Sequence, residues 1–206
     1  MLLVWGFKAI SRTLSEGVFY CPREGGDRPY RHRSARKWFT FFWIPIMPLK
    51  ELGKFVECSS CSSTFYPSVL SAPTTAKIAD VTTIAIRHLA VAMTVADGVI
   101  EEAEKQYAVE IVNRFASVPY AMENFEIDLV ELRGTNPTDQ LEELGGILTE
   151  QGREQVLTAA VALAASDGSV DFSELALAQK VGSDLSMSAA HVKGVIATTT
   201  EHLTQD

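Results

Sequence analysis

The sequence predicts two successive parts, a small antiparallel β module and an all-helical domain of about seven helices. The first observation is a change of residue texture near residue 75, from aromatic and β-branched residues to Ala, Leu, Val and Ile at helical spacing. The second is an internal repeat in the later part, offset by 70 residues. The third is charge, because residues 1–72 hold 10 Lys+Arg against 5 Asp+Glu, whereas residues 73–206 hold 8 against 21. The two parts therefore carry net charges of +5 and −13 and present different surfaces.

Residues 1–66 form the predicted β module. Its strand-like segments FYC, KWFTFFWI, KFVEC and STFY lie between Val18 and Tyr66, and turn residues separate them. The stretch PSVLSAPTT, residues 67–75, is rich in Pro, Ser and Thr and predicts a linker. The apolar run from Trp38 to Leu49 is interrupted by prolines and is shorter than the roughly 20 residues of a spanning helix. The first residues lack the pattern of a signal peptide.

Residues 76–206 form the predicted helical domain. Helical periodicity predicts seven helices, near residues 76–96, 101–116, 120–132, 138–149, 152–166, 172–184 and 188–203. Residues that end helices mark the breaks between them, at Gly98, Pro119, Gly134, Pro137, Gly168 and Ser186. Short connections make consecutive helices neighbours, as in a helical bundle.

The internal repeat contains an acidic motif twice. Segments that begin at Ala90 and Ala160 align without a gap, and both contain Asp-Gly-x-[Ile/Val]-x-x-x-Glu. The repeated acidic residues are Asp97, Glu104, Asp167 and Glu174. Apolar positions after the motif match as well, which predicts two copies of a helix-turn-helix unit joined by an insert near residues 118–150.

Two interpretations of the acidic motif stay open. In the first, glycine ends one helix and the following carboxylates stabilise the positive N-terminus of the next, so no metal is needed. In the second, the motif is the later half of a calcium-binding EF-hand loop. Met93 and Val95 occupy the earlier ligand positions of the first copy, so a standard loop is excluded. The four carboxylates could instead converge on one Ca²⁺, Mg²⁺ or Mn²⁺ ion if the copies pack about a pseudo-two-fold axis.

With this motif occurring twice on an Ala-rich helical domain, residues 76–204 resemble the TerB-like tellurite-resistance family. The resemblance implies a small helical bundle whose acidic residues chelate metal, here Asp97, Glu104, Asp167 and Glu174. It also implies a role in bacterial systems that respond to tellurite and chemical stress.

Three cysteines, all in the first part, form a candidate zinc site: Cys21, Cys58 and Cys61. Zinc ribbons hold Zn²⁺ with two Cys-x-x-Cys knuckles, and here Glu24 replaces the second cysteine of the first knuckle. The segments CPREGG, KWFTFFWIPIMPL and FVECSSC together resemble a bacterial zinc-ribbon family that is often joined to TerB-like domains. The resemblance implies that the β module is a zinc ribbon with one altered ligand.

Three outcomes stay open for this site. Zn²⁺ is held by the three thiolates and the Glu24 carboxylate, or His32 or water supplies the fourth ligand, or the metal has been lost and aromatic packing holds the module. The aromatic residues concerned are Trp38, Phe39, Phe41, Phe42 and Trp43. The sparse, odd cysteine count favours a reducing cytoplasm, and CSSC lacks the strand-to-helix setting of thioredoxin motifs.

The motifs favour a protein that is not an enzyme. The sequence contains no Gly-rich phosphate loop, nucleophile elbow or HExxH motif. The helical histidines lack the glutamate three residues earlier that di-metal bundle sites use: His88, His191 and His202. The basic residues of the first part could contact a nucleic-acid backbone: Arg31, Arg33, Arg36 and Lys37. The acidic second part disfavours nucleic acid as a partner.

The sequence thus predicts a cytoplasmic metal-binding or protein-interaction module of a bacterial tellurite or chemical-stress response, with other proteins as its partners. Two alternatives are a metal-dependent hydrolase that uses the acidic repeat and a nucleic-acid-binding adaptor that uses the basic β module. Contact with a membrane surface is compatible with the basic first part, whereas a transmembrane segment is not predicted.

Overall fold

The structure confirms the predicted fold class, a β module followed by an all-helical domain. The computed structural model describes residues 5–96, 98, 100–165 and 172–203. The chain divides into two units, residues 1–76 and 77–206, which we call the β unit and the helical unit. Within the described ranges, no helix combines the length and the apolar character needed to cross a membrane.

The β unit is an antiparallel sheet with the strand order β1-β2-β3-β4. Its strands are β1 (Trp5–Cys21), β2 (Gly26–Phe41), β3 (Ile44–Cys58) and β4 (Thr64–Phe65). The sheet is longer than predicted, because β1 begins at Trp5 and pairs with β2 from Trp5↔Phe41 to Cys21↔Gly26. Charged and small residues along residues 5–17 hide this strand in the sequence, and pairing with β2 overrides their weak strand propensity.

The core of the β unit lies at the cysteine end of the sheet. Phe19, Cys21, Val56 and Cys58 are fully buried there. Side chains from a 3₁₀ helix, Pro67–Ser71, pack against this cluster, so the predicted linker contains ordered structure. Of the aromatic residues that one open outcome assigns to packing, Phe42 and Trp43 are exposed and so lie outside the core, whereas Trp38, Phe39 and Phe41 are half-buried.

Both margins of the sheet are open over most of their length in the described residues. β1 pairs with β2 alone, and β4 covers β3 only at Val56 and Glu57. Pro45 and Pro48 lie in the uncovered part of β3. Proline lacks a backbone N–H and is tolerated in a sheet at such an edge.

The helical unit contains each of the seven predicted helices. They are α1 (Thr75–Thr94), α2 (Glu102–Asn113), α3 (Met122–Glu131), α4 (Thr138–Ile147), α5 (Glu150–Ala164), α6 (Phe172–Asp184) and α7 (Ala189–Leu203). Helix α5 begins two residues before the predicted start because the Thr149 hydroxyl accepts a hydrogen bond from the Gly152 N–H at 3.2 Å. This side-chain cap satisfies one of the free N–H groups of the first turn.

The two copies of the repeat place equivalent residues in one hydrophobic core. Ala90 of α1 and Ala160 of α5 are fully buried, and Ile111 of α2 and Val181 of α6 are buried in the same cluster. The apolar residues that match in the sequence are therefore the residues that hold the helices together.

A buried ion pair fastens α1 to α3. Asp128 is 1% exposed and accepts hydrogen bonds from the Arg87 guanidinium at 2.7 and 2.6 Å and from the Tyr120 hydroxyl. Burial alone would raise the pKa of Asp128, but the bonds from Arg87 and Tyr120 outweigh it and hold that pKa below its ordinary value. The carboxylate therefore stays charged in the folded protein at neutral pH.

Candidate metal centre

The three cysteines meet at the buried end of the β unit. Cys21 ends β1, Cys58 ends β3, and Cys61 lies in the loop that leads to β4. Their three Sγ atoms lie within 4.8 Å of one another, and the Sγ atoms of Cys21 and Cys61 are 3.9 Å apart. Two strands and one loop thus bring Cys21 to the same point as Cys58 and Cys61, which are 37 and 40 residues later in the sequence.

This thiol cluster fits three corners of a zinc site. Zn–S bonds of about 2.3 Å at tetrahedral angles place neighbouring sulfurs about 3.8 Å apart, close to the observed 3.9 Å. All three cysteines are free thiols. Three thiolates and one further ligand complete the four-coordinate geometry of structural zinc.

Two loops of similar backbone geometry present the thiols. In the first, the Gly25 N–H donates to the Cys21 carbonyl at 2.9 Å, and in the second the Ser62 N–H donates to the Cys58 carbonyl at 3.0 Å. Gly25 and Ser62 both adopt positive φ, 67° and 56°. Positive φ favours glycine, so Ser62 adopts a backbone conformation that is uncommon for a residue with a side chain.

Glu24 takes the place in the first loop that Cys61 takes in the second, three residues after a buried cysteine. Its carboxylate accepts a 2.6 Å hydrogen bond from Arg28 Nε, and it is not among the ligand atoms that converge with the three sulfurs. His32, the other predicted fourth ligand, lies on β2. Its Nε2 atom is buried without a hydrogen-bond partner in the described residues, and it too lies outside the convergent group.

The thiols differ in acidity. Hydrogen bonds to the side chain and backbone of Ser63 lower the pKa of Cys61 to about 7. Burial raises the pKa of Cys21 above its ordinary value. Cys61 is therefore the more acidic of the two thiols, and a bound metal ion would favour the thiolate form of both.

The structure describes only half of the predicted acidic site. Asp97 and Asp167 lie outside the described residues. Glu104 Oε2 accepts a 3.1 Å hydrogen bond from the Glu101 N–H at the start of α2, which is the capping role of the first interpretation. Glu174 is buried in the first turn of α6. The ion-binding interpretation stays a prediction.

Three of the four basic residues of the predicted nucleic-acid surface contact other side chains of the β unit. Arg31 pairs with Glu16 and Arg33 pairs with Glu57. The Lys37 ammonium lies 4.2 Å from the centroid of the Phe7 ring. These contacts tie the basic residues to the sheet itself.

The helical histidines differ in their surroundings. The Nε2 atom of His191 on α7 lies 2.6 Å from a Glu154 carboxylate oxygen on α5, as expected for a helix-face residue with a local partner. Burial lowers the pKa of His88, so this imidazole is neutral at physiological pH. Its Nδ1 atom makes no hydrogen bond in the described part of the chain.

A helical unit with a duplicated acidic motif, preceded by a sheet with a three-thiol cluster, defines a two-part protein with a candidate metal centre. The family model described as tellurite resistance protein TerB matches residues 83–195, which is more than half of the chain. This chain belongs to the TerB family. The matched stretch runs from α1 into α7 and contains both copies of the repeat. Comparison with curated proteins gave no match, and neither did comparison with solved structures.

Proposed function

We propose that this protein is a non-enzymatic zinc-binding module of a bacterial tellurite or chemical-stress response. The observation that carries the proposal is the convergence of three thiols within 4.8 Å of one another. Membership of the TerB family supports the biological setting. A reducing cytoplasm suits the free thiols, because disulfides form mainly in oxidising compartments.

In this proposal Cys21, Cys58 and Cys61 hold Zn²⁺, and Glu24 supplies the fourth ligand. The equivalence of the two loops supports Glu24, since it stands where the other knuckle has Cys61. Its carboxylate is 27% exposed and bonded to Arg28, so it has to exchange that partner for the metal. His32 and water are the other candidates for the fourth position.

Zinc in this position would hold β1 and β3 together. Two of the four fully buried residues in the core of the β unit are the cysteines themselves. A core this small stabilises little by hydrophobic burial, and small domains of this kind use metal ions instead. The zinc is therefore structural in this proposal, and it does no chemistry on a substrate.

The helical unit completes the proposal as a surface for other proteins and for a hard cation. Its 21 acidic and 8 basic side chains suit a basic protein partner. Oxygen ligands from Asp97, Glu104, Asp167 and Glu174 would suit Ca²⁺, Mg²⁺ or Mn²⁺.

The decisive measurement is the metal content of untagged protein purified without chelator. Mass spectrometry of the elements is expected to find one zinc per chain, and any Ca, Mg or Mn is counted in the same run. Cys61→Ser and Cys58→Ser should each lower the zinc content sharply, because two thiolates bind zinc much more weakly than three. Ser60→Ala, in the same loop, is the matched control and should keep the metal. A zinc content near zero in the parent protein contradicts the proposal.

A further inference from the structure

The end of the sheet remote from the thiol cluster presents apolar side chains to solvent. Seven residues, each between 46% and 76% exposed, form what we call the aromatic tip: Trp5, Phe7, Phe42, Trp43, Ile44, Ile46 and Met47. The strand register places Trp5 beside Phe41 and Phe41 beside Ile44, so several of these side chains share one face. A contiguous apolar patch of this kind marks an interaction surface.

The turn at the aromatic tip has an unusual sequence. Phe41 pairs with Ile44, so Phe42 and Trp43 are the two central residues of the hairpin. Both adopt positive φ, 47° and 64°. Two-residue hairpin turns with this geometry strongly prefer Asn-Gly, because bulky side chains are strained there. Both rings are exposed and add nothing to a core, so folding of the sheet does not explain these residues.

Basic residues surround the aromatic tip. Residues 5–10 and 36–50 hold four Lys and Arg and no Asp or Glu, a net charge of +4. The four are Lys8, Arg36, Lys37 and Lys50. At about 3.3 Å per strand residue, Lys8 lies about 10 Å behind Trp5, and Lys50 lies about 20 Å behind Ile44. Apolar groups are thus at the end of the sheet, with positive charges one to two nanometres behind them.

This arrangement matches the surface of an anionic lipid bilayer. Tryptophan rings favour the boundary between headgroups and acyl chains, and apolar groups of peripheral proteins enter that boundary by about 5–10 Å. Lysine and arginine behind them are attracted to anionic headgroups. Nucleic acid would use the same positive charges, but it offers no apolar layer for Ile44, Ile46 and Met47.

We propose that the aromatic tip inserts into the interfacial layer of an anionic lipid bilayer, with the basic residues behind it contacting the headgroups. The proposal goes beyond zinc binding and does not depend on it. The membrane is contacted by a hairpin of the β unit, and the thiol cluster at the other end of the sheet stays in water.

The test is vesicle flotation with the full chain. Vesicles of phosphatidylcholine alone are compared with vesicles of phosphatidylcholine and phosphatidylglycerol in equal parts. Binding is expected to the anionic vesicles and should weaken as salt is added. All three tryptophans, Trp5, Trp38 and Trp43, lie in the β unit, so a blue shift of fluorescence and quenching by brominated lipid report on this unit alone.

Two sets of variants separate the apolar and the charged contributions. Phe42→Asn with Trp43→Gly installs the preferred turn pair, so the melting temperature should hold or rise while vesicle binding falls by about tenfold or more. Lys8→Gln with Lys50→Gln should lower binding to anionic vesicles by about tenfold. Phe172→Ser is the matched control: this ring is 88% exposed on α6, and its loss should leave binding unchanged.

Several results would overturn the proposal. They are no binding to either vesicle, equal binding by the turn variant, or equal binding to both vesicle types at every salt concentration. A further such result is that the parent protein binds no vesicles but dimerises or binds an oligonucleotide, and that the turn variant loses this association. That result would assign the aromatic tip to a second copy of the chain or to nucleic acid.

Discussion

At the scale of single residues, Glu24 decides how many thiolates the candidate metal centre offers. The first loop has the backbone hydrogen bond and the positive φ of the second, and it differs at the position that would carry the fourth sulfur. A carboxylate is a weaker partner for zinc than a thiolate in such a site. The centre is therefore expected to bind zinc less tightly than a four-cysteine ribbon.

Glu24→Cys is expected to raise the affinity for zinc by about tenfold or more, because it completes a tetrahedron of four thiolates. Competition with a chromophoric chelator measures the change. Ser60→Cys is the matched control, since it adds a cysteine to an exposed loop position next to the cluster and should leave the affinity unchanged. An equal gain in both variants would show that the fourth ligand does not come from the first loop.

Cysteine spacing, together with the resemblance to a zinc ribbon, predicts which cysteines belong together. Two short motifs 37 residues apart, counted from Cys21 to Cys58, imply a shared site once a zinc ribbon is assumed. Their local sequences cannot show that Arg28 engages the Glu24 carboxylate. They also cannot reveal Asp128, because its partner Arg87 is 41 residues away and no motif marks either residue.

At the scale of elements, the ion pair between Arg87 and Asp128 joins α1 to α3, and Tyr120 adds the segment between α2 and α3. The Asp128 carboxylate is 1% exposed, whereas the Arg87 side chain is 37% exposed. Removing the buried Asp128 carboxylate leaves the donors of Arg87 and Tyr120 without their acceptor. Leaving such groups unpaired destabilises the folded state more than the loss of an exposed ion pair does.

Asp128→Asn is expected to lower the free energy of unfolding by about 2–4 kcal/mol at pH 7, somewhat less than for a fully buried pair because water reaches Arg87. Denaturant unfolding followed by far-UV circular dichroism measures it. Glu110→Gln, which breaks the exposed pair with Arg114, is the control and should cost less than about 0.5 kcal/mol.

The effect of Asp128→Asn should depend on pH in a defined direction. The folded pKa of Asp128 lies below its ordinary value, so its contribution to stability is complete above about pH 4 and is lost as the pH falls through the folded pKa. The difference between the parent and Asp128→Asn should therefore shrink in acid. A difference that stays constant down to pH 2 would show that the charge of Asp128 does not stabilise the fold.

Helices were easier to predict than strands for a physical reason. Each helix here has its own periodic apolar stripe, and residues such as Thr149 and Gly134 mark the ends. The first half of β1 has no such local signal, because its pairing partners on β2 lie 20 to 36 residues later in the sequence. Strand formation depends on contacts that a short window of sequence does not contain.

At the scale of the whole molecule, the two units differ in charge and in the spectroscopic signals they give. The β unit has a net charge of +5 and contains all three tryptophans. The helical unit has a net charge of −13 and contains the α-helices. Each unit also has its own buried cluster. Tryptophan fluorescence and far-UV circular dichroism therefore follow the two units separately in one sample.

Removal of zinc by a chelator is expected to lower the melting temperature seen by tryptophan fluorescence by several degrees. The helix signal should melt where it did before, because the thiol cluster belongs to the β unit. Added zinc should restore the fluorescence transition. A chelator that shifts neither transition would mean that metal does not stabilise the β unit. Asp128→Asn should show the opposite pattern to zinc removal: the helix transition should fall and the fluorescence transition should stay where it was.

The open margin of β3 has a consequence for how this protein behaves at high concentration. An extended strand with free N–H and C=O groups is a template on which further chains can add, and long sheets with such edges seed fibrils. Pro45 and Pro48 interrupt that template, and Lys50 and Lys54 repel a second copy. We therefore expect these four side chains to oppose the addition of a further strand at this edge.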